Sequence, residues 1–291
     1  VKIIHFKEAK GILSAHNGMN IYRGCTHGCI YCDSRSNCYQ IDHAFEDIEV
    51  KSNAPQLLEA ALRKKRSKCV ISTGAMCDPY IPLENKLRHM RKCLEIIDRY
   101  GFGAAVLTKS TGVLRDIDLF ESINSKAKSI VQMTLTTYNE DLCKIIEPNV
   151  STTKQRFEAL KTLHEAGIPT VVWLCPLLPF INDTKENLLG ILDYCAKAKV
   201  YGIIMWNIGT TMRDGSREYF YQNLDKYFPG LSQKYHQKYG HSYEITSDNS
   251  ESLMQLLRDT CEKHGIVHNR RAVFQYMHTL PNNAPEQIKL F

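Results

Sequence analysis

Cys25, Cys29 and Cys32 lie close together in the segment Arg23-Gly24-Cys25-Thr26-His27-Gly28-Cys29-Ile30-Tyr31-Cys32. Thiolates are the ligands of iron–sulfur clusters, and tight spacing lets one loop wrap one cluster. A cubane takes four ligands and this loop supplies three. The fourth iron is then free to bind another molecule, and an open metal position is where chemistry happens. Three other readings share the spacing. Steps of four and three put the cysteines on one helical face, as a buried stripe of small apolar residues. Gly24 and Gly28 oppose this, at a cost of about 1 kcal/mol each in a helix. A zinc site completed by His27 or Cys38 is the second reading. The spacing is unusual for a zinc finger, and no second Cys-x2-Cys knuckle follows. The third is thiol redox chemistry at Cys29-x-x-Cys32.

The elements that must position this loop alternate along the chain. Short apolar runs at 19–22, 69–72, 104–107, 130–135, 170–174 and 202–206 read as strands. Segments 55–65, 83–100, 118–125, 153–166 and 184–198 read as helices. Phe157, Leu160 and Leu163 recur every three residues and Gly167 can end that helix. Asp183 with Glu186 three residues later forms a weak capping-box pattern ahead of Leu188, Leu189 and Leu192. Strands joined by helices pair in parallel through right-handed crossovers. The loops after the strands then gather on one face, where α/β enzymes place their sites. The cysteine loop follows the first strand and lands there. Spacing alone does not separate a partial barrel from an open doubly wound sheet. Beyond Gly209 the pattern changes: 213–243 is rich in Tyr, Phe, Lys and His, and a helix at 250–264 is capped by Ser250 and ended by Gly265. The expected division is 1–209 as the α/β unit and 210–291 as a mostly helical extension on its mouth, with a tail from about 281.

Composition sets outer limits. With 43% hydrophobic and 23% charged residues, the chain of 291 residues reads as an ordinary soluble globular protein. No run reaches the ~18 apolar residues of a membrane span. The start of the chain lacks the apolar core of a signal peptide, so a cytoplasmic protein with no membrane partner is expected. Eleven cysteines in this length are not a secreted disulfide framework, and those outside the loop are expected to be buried thiols. The net charge of +6 tolerates an anionic partner.

Cys-x3-Cys-x2-Cys with an aromatic residue, Tyr31, before the last cysteine resembles the motif of the radical S-adenosylmethionine (SAM) superfamily. That resemblance implies a partial (β/α)6 barrel and a [4Fe–4S] cluster on Cys25, Cys29 and Cys32. It implies that the open iron chelates SAM. An electron from a reductant such as flavodoxin or ferredoxin then cleaves SAM to methionine and a 5′-deoxyadenosyl radical, which abstracts hydrogen from a substrate. The cofactor carries the hard chemistry, and the protein supplies position and shielding. Thr73-Gly74-Ala75-Met76-Cys77-Asp78-Pro79-Tyr80, Leu107-Thr108-Lys109-Ser110, Glu147-Pro148, Pro176-Leu177-Leu178-Pro179 and Asn182-Asp183 resemble the spore photoproduct lyase-like branch. That branch implies that Lys109 pairs with the SAM carboxylate. It also implies that Thr73-Gly74 replaces the usual glycine-rich turn near the methionyl amine. The lyase uses a cysteine after the second strand to return hydrogen to its product. The matching position here is Ala75, with Cys77 two residues away as the candidate donor.

Further site candidates rest on position. Thr134 and Thr136 alternate on the fourth strand and can reach the SAM ribose. Arg156 can fork onto a carboxylate, and Asn207 lies where a strand-end residue can meet adenine. Asp78 and Glu84 are substrate-facing acids or solvated loop residues. Tyr219, Tyr221, Tyr235, Tyr239 and Tyr243, interleaved with Lys and Arg, read either as a base-stacking stripe or as packed helices with polar tips. The tail Gln287-Ile288-Lys289-Leu290-Phe291 resembles the short peptides that bind bacterial sliding clamps. Gln287, Leu290 and Phe291 are its anchors. The expectation is a radical SAM enzyme acting on nucleic acid, with DNA repair as the associated role. A peptide or small metabolite is the alternative substrate. A metal-binding or clamp-associated module without turnover is the non-enzyme alternative.

Overall fold

The computed structural model describes residues 3–281. Its strands are β1 (Ile4–Lys7), β2 (Gly18–Met19), β3 (Tyr22–Arg23), β4 (Ile48–Lys51), β5 (Val70–Thr73), β6 (Gly103–Thr108), β7 (Ser129–Thr134), β8 (Thr170–Trp173), β9 (Gly202–Ile204), β10 (Gly209–Thr211) and β11 (Glu244–Thr246). The central sheet runs β2-β5-β6-β7-β8-β9, with every neighbour parallel. Helices Ala54–Lys64, His89–Arg99, Ile117–Lys126, Thr153–Glu165 and Lys185–Lys197 make the crossovers. This is the expected partial (β/α)6 barrel. Ala104, Val106, Ile130, Val131 and Met133 are fully buried, as the central strands of a parallel sheet covered on both faces require.

Helix boundaries follow local capping chemistry. Thr152 and Gln155 form a reciprocal capping box for Thr153–Glu165. Thr184, not Asp183, caps Lys185–Lys197, because the Asp183 carboxylate is taken by the Ser247 hydroxyl. The expected helix over 83–100 is broken in two. Arg88 sits in the left-handed region at φ 52°, between Glu84–Leu87 and His89–Arg99. The Glu84 carboxylate accepts from Met90 N at 3.0 Å and so starts the second piece.

The expected first strand over 19–22 also divides. β2 pairs with β5 inside the barrel, whereas β3 pairs antiparallel with β4 in a separate outer sheet of order β1-β4-β3. The cysteine loop therefore leaves from the outer sheet. Its entry is tight. Gly24 has φ +79°, and a Cβ there would lie 2.3 Å from the Asp47 carbonyl oxygen. Cys25 N donates to Phe45 O at 2.8 Å.

The C-terminal segment splits between two places. β10 and β11 pair antiparallel and enclose helices Ser216–Tyr227 and Leu231–Tyr239. Phe220, Leu224, Tyr235 and Ile245 form an apolar cluster with Ile30 of the cysteine loop, Ile146 and Leu178. Beyond it, helix Ser250–His264 packs on Lys185–Lys197, away from the mouth. Val273 and Met277 of helix Arg270–His278 cover Ile130, Val171 and Ile204. The tyrosine stripe is largely interior: Tyr235 is fully buried, Tyr221 is buried against it, and Tyr239 packs on the same cluster. These rings are spent on packing and cannot stack on bases.

Gly74 illustrates how closely the strand ends approach one another. At φ +99°, its Cβ position would fall 1.9 Å from the Leu107 carbonyl oxygen. Gly74→Ala is expected to lower unfolding free energy by more than about 1 kcal/mol in urea denaturation, with or without SAM. An unchanged midpoint would show that the turn relaxes freely.

Candidate active site

The cysteine loop is irregular and clamped from several sides. Gly28 has φ +72°, Ile30 N donates to Ile146 O at 3.0 Å, and Asn149 N donates to His27 O at 3.1 Å. The helical stripe is thereby excluded. Cys25 and Cys29 are buried, while Cys32 reaches the wall of a cavity. Among the described residues, the three thiols do not converge with another donor on one point, as four-coordinate zinc requires. The group that does converge is Asp42, His43 and Glu49 on the outer sheet. A cubane spreads its thiolates over separate irons and needs no such convergence.

Two buried carboxylates fix the surroundings. Asp78 accepts from Tyr80 N (2.8 Å), Thr108 Oγ1 (2.7 Å) and Lys109 N (2.7 Å), and lies 3.5 Å from His27 Nδ1. Burial works against a charged His27, but Asp78 and Cys25 outweigh it and raise the ring's pKa. Glu84 accepts from Tyr22, Met90 N and Arg115. Neither acid faces substrate. Both are saturated by the protein, as buried carboxylates must be.

The second anchor is Glu147. It receives the Tyr31 hydroxyl on one oxygen and the Arg156 guanidinium on the other. Arg156 is fully buried and also donates to Thr134 O at 2.5 Å. One arm of its fork lands on the protein's own carboxylate and the other on that carbonyl, not on a cofactor. Burial pushes the Glu147 carboxyl up, but Arg156 and Lys109 hold it below the usual range.

The strand ends enclose a cavity of about 730 Å³. Its walls include Tyr31 and Cys32 from the loop, Ala75 after β5, Lys109 after β6, Thr134 at the end of β7, Trp173 and Cys175 at β8, and Trp206 and Asn207 after β9. Arg213, Tyr243 and Glu244 close the rim. Four expected cofactor residues, Tyr31, Lys109, Thr134 and Asn207, thus meet in one space. Among the described residues, the Lys109 ammonium, the Thr134 hydroxyl and the Asn207 amide have no hydrogen bond to protein. A soft three-sulfur loop beside free cationic and polar groups fits a cluster carrying a zwitterionic ligand.

Besides Arg156, four other expected residues lie off this wall. Thr136 is fully buried, because β7 ends at Thr134 and the chain turns inward. The Thr136 carbonyl then accepts from Asn182 (2.7 Å) and Asn187 (3.0 Å). Thr73 is buried at the end of β5, with its hydroxyl unpaired, and Gly74 is pressed on Leu107. Cys77 packs in the main core against the Cys25 sulfur; that hydrogen bond, then burial, pushes its thiol pKa up. It does not face the cavity, so the donor role expected of it has no geometry. Trp173, Cys175, Trp206 and Arg213 were missed, and Tyr243 is the member of the expected tyrosine stripe that lines this cavity. The strand-end rule that found Lys109 would also have found Trp173 and Cys175. The chain's two tryptophans both line this cavity.

Residues 19–194 match the model of the radical SAM superfamily, and the chain belongs to that superfamily. It is a radical SAM enzyme, with SAM and a [4Fe–4S] cluster as its cofactors. The fold is that of spore photoproduct lyase. The structure of that enzyme complexed with dinucleoside spore photoproduct superimposes with a TM-score of 0.66 at 13% identity, over 91% of this chain and 81% of the other. An uncharacterized protein of Methanocaldococcus jannaschii is 34% identical over 174 residues, 59% of this chain and 64% of that protein. An uncharacterized protein of Mycobacterium tuberculosis is 25% identical over 259 residues, 87% of this chain and 76% of that protein. The described helices include none long and apolar enough to cross a membrane.

The Glu147 anchor predicts an ordering of stabilities. Glu147→Ala strands the Arg156 charge in the interior and is expected to cost about 3–5 kcal/mol. Tyr31→Phe removes one hydrogen bond to a charged acceptor and is expected to cost roughly 1.5–3 kcal/mol. Chemical denaturation of the two variants checks the order, and equal losses would contradict it.

Proposed function

We propose that this radical SAM enzyme takes hydrogen from a nucleic-acid substrate bound at the cavity mouth. In this reading Cys25, Cys29 and Cys32 hold the cluster. Lys109 pairs with the SAM carboxylate, Thr134 bonds the ribose and Asn207 meets the adenine edge. Bound SAM supplies the hydrogen-abstracting radical once a low-potential donor such as flavodoxin or ferredoxin delivers an electron. The protein's own contribution is to hold the reacting ends together and keep water from them.

One observation carries the substrate class. The cavity opens onto flat aromatic faces flanked by cations. Trp206 is 51% exposed with the Arg270 guanidinium 4.0 Å from its ring, and Tyr243 is 47% exposed with its hydroxyl accepting from Arg213 at 3.0 Å. Aromatic platforms beside arginines are how single-stranded nucleic acid is held, by stacking and phosphate pairing. The dinucleoside in the similar lyase structure supports the same class. A cytoplasmic location belongs to this proposal. So does sliding-clamp binding through Gln287, Leu290 and Phe291, which lie outside the described residues.

The decisive experiment is deuterium transfer into 5′-deoxyadenosine from labelled oligonucleotides, peptides or metabolite pools; the donor of the label is the substrate. Label from peptides or metabolites alone would overturn the nucleic-acid reading. Two variants separate the two ends of the cavity. Lys109→Ala is expected to weaken SAM binding by roughly 1.5–3 kcal/mol. Trp206→Ala is expected to weaken single-stranded oligonucleotide binding by roughly 1–3 kcal/mol, measured with its salt dependence. Oligonucleotide affinity unchanged by Trp206→Ala would remove the platform.

A further inference from the structure

One thiol on the cavity wall has no place in the scheme above. Cys175 follows β8 and lines the cavity with Trp173 and Lys109. Cys77, Cys93, Cys195 and Cys261 are packed in the main apolar core, whereas Cys175 is not. Among the described residues its sulfur has no hydrogen-bond partner. Burial pushes its thiol pKa up to about 11, so the S–H bond is intact at neutral pH. Thr134, 4% exposed and with an unbonded hydroxyl, faces the same space and marks it as one that a ligand fills.

Few other groups on this wall can give up a hydrogen atom. The Tyr31 hydroxyl is committed to Glu147, and Tyr243 lies at the rim. Cys32 belongs to the cluster loop. The Ala75 side chain is a methyl group, and Cys77 faces Cys25. An S–H bond is weaker than the C–H bonds of sugars and alkyl groups, so hydrogen moves downhill from sulfur to carbon.

We propose that Cys175 is the hydrogen-atom donor of this cavity, delivering its S–H hydrogen to a carbon-centred radical formed there. The S–H bond breaks homolytically, one C–H bond forms, and a thiyl remains on sulfur. One electron from the low-potential reductant that serves the cluster and one proton from solvent restore the thiol. This inference rests on membership of the superfamily and not on the nucleic-acid reading, so either can fail alone.

The test needs no substrate. Cluster-loaded protein equilibrated in D2O carries deuterium on its exchangeable thiols. With SAM and dithionite, wild-type protein is expected to release 5′-deoxyadenosine containing solvent deuterium. Cys175→Ala is expected to lose most of that label per molecule of product. Cys175→Ser, which keeps a polar side chain but offers only a strong O–H bond, is expected to lose it too, and Cys77→Ala to keep it. A second readout is independent of turnover: at alkaline pH, where part of the thiol is ionised, iodoacetamide should alkylate Cys175 in the folded protein, and S-adenosylhomocysteine should slow that alkylation. Wild-type product without deuterium overturns the proposal, as does label retained in both Cys175 variants or lost in Cys77→Ala. If neither Cys175 variant takes up iron, the alkylation decides: protection supports the assignment and its absence overturns it.

Discussion

A single buried carboxylate couples the reactive loop to the barrel. Glu147 receives Tyr31, which immediately precedes Cys32, and Arg156, which also holds the last carbonyl of β7. The loop and the strand end are thus bonded through one acceptor. Taking an arginine and a glutamate fully out of water is costly, and the mutual attraction offsets this only when the remaining polar atoms are satisfied. Tyr31 and Thr134 O satisfy Glu147 Oε1 and one arm of the guanidinium, while Arg156 Nε is left unpaired. The cost is understandable at a site that must keep a cysteine of the loop and a strand end in fixed register, since reacting groups misplaced by even an ångström lose much of their rate.

Asp78 performs a matching task on the opposite side. It ties His27 of the loop to Thr108 and Lys109 at the end of β6. The cysteine loop is therefore held between two saturated acids, one linked to β6 and one to β7. With its entry closed by Gly24 against the outer sheet, little freedom remains for it to rearrange when it takes up a cluster.

Much of this was legible in the chain, because the barrel is built from locally consistent segments. The central strands and the helices from Thr153 and Ser250 follow from apolar runs and glycine stops, although Ser250 is the first helical residue and not the expected cap, a position held by Asn249 with no side-chain capping bond. Lys109 and Asn207 follow from the rule that strand ends collect function, and Thr134 from the alternation of side chains along a strand. The failures have physical causes. β1 and β4 are short and lie far apart in sequence, so no local pattern announces their pairing. Thr136 shares a face with Thr134 only if the strand continues, and its end is set by distant Asn182 and Asn187. Arg156 was read as reaching for a carboxylate, which it does. Sequence does not say whose, because Glu147 follows a short helix, Glu140–Ile146, that spacing did not reveal. The tyrosine-rich segment shows the same ambiguity, since Tyr interleaved with Lys describes a packed amphipathic helix as well as a binding face.

The placement of Ile30 gives the extension a role beyond covering the mouth. This loop residue, one position after Cys29, is buried among Phe220, Leu224 and Tyr235. The segment that carries the rim residues Arg213 and Tyr243 is therefore in direct packing contact with the segment that carries the cysteines. Most of the cavity wall comes from the barrel, and the rim residues Arg213, Tyr243 and Glu244 come from after Gly209. A change in the rim that preserves the packing around Ile30 alters what enters the cavity without disturbing the chemistry beneath it. A change that empties that packing disturbs both.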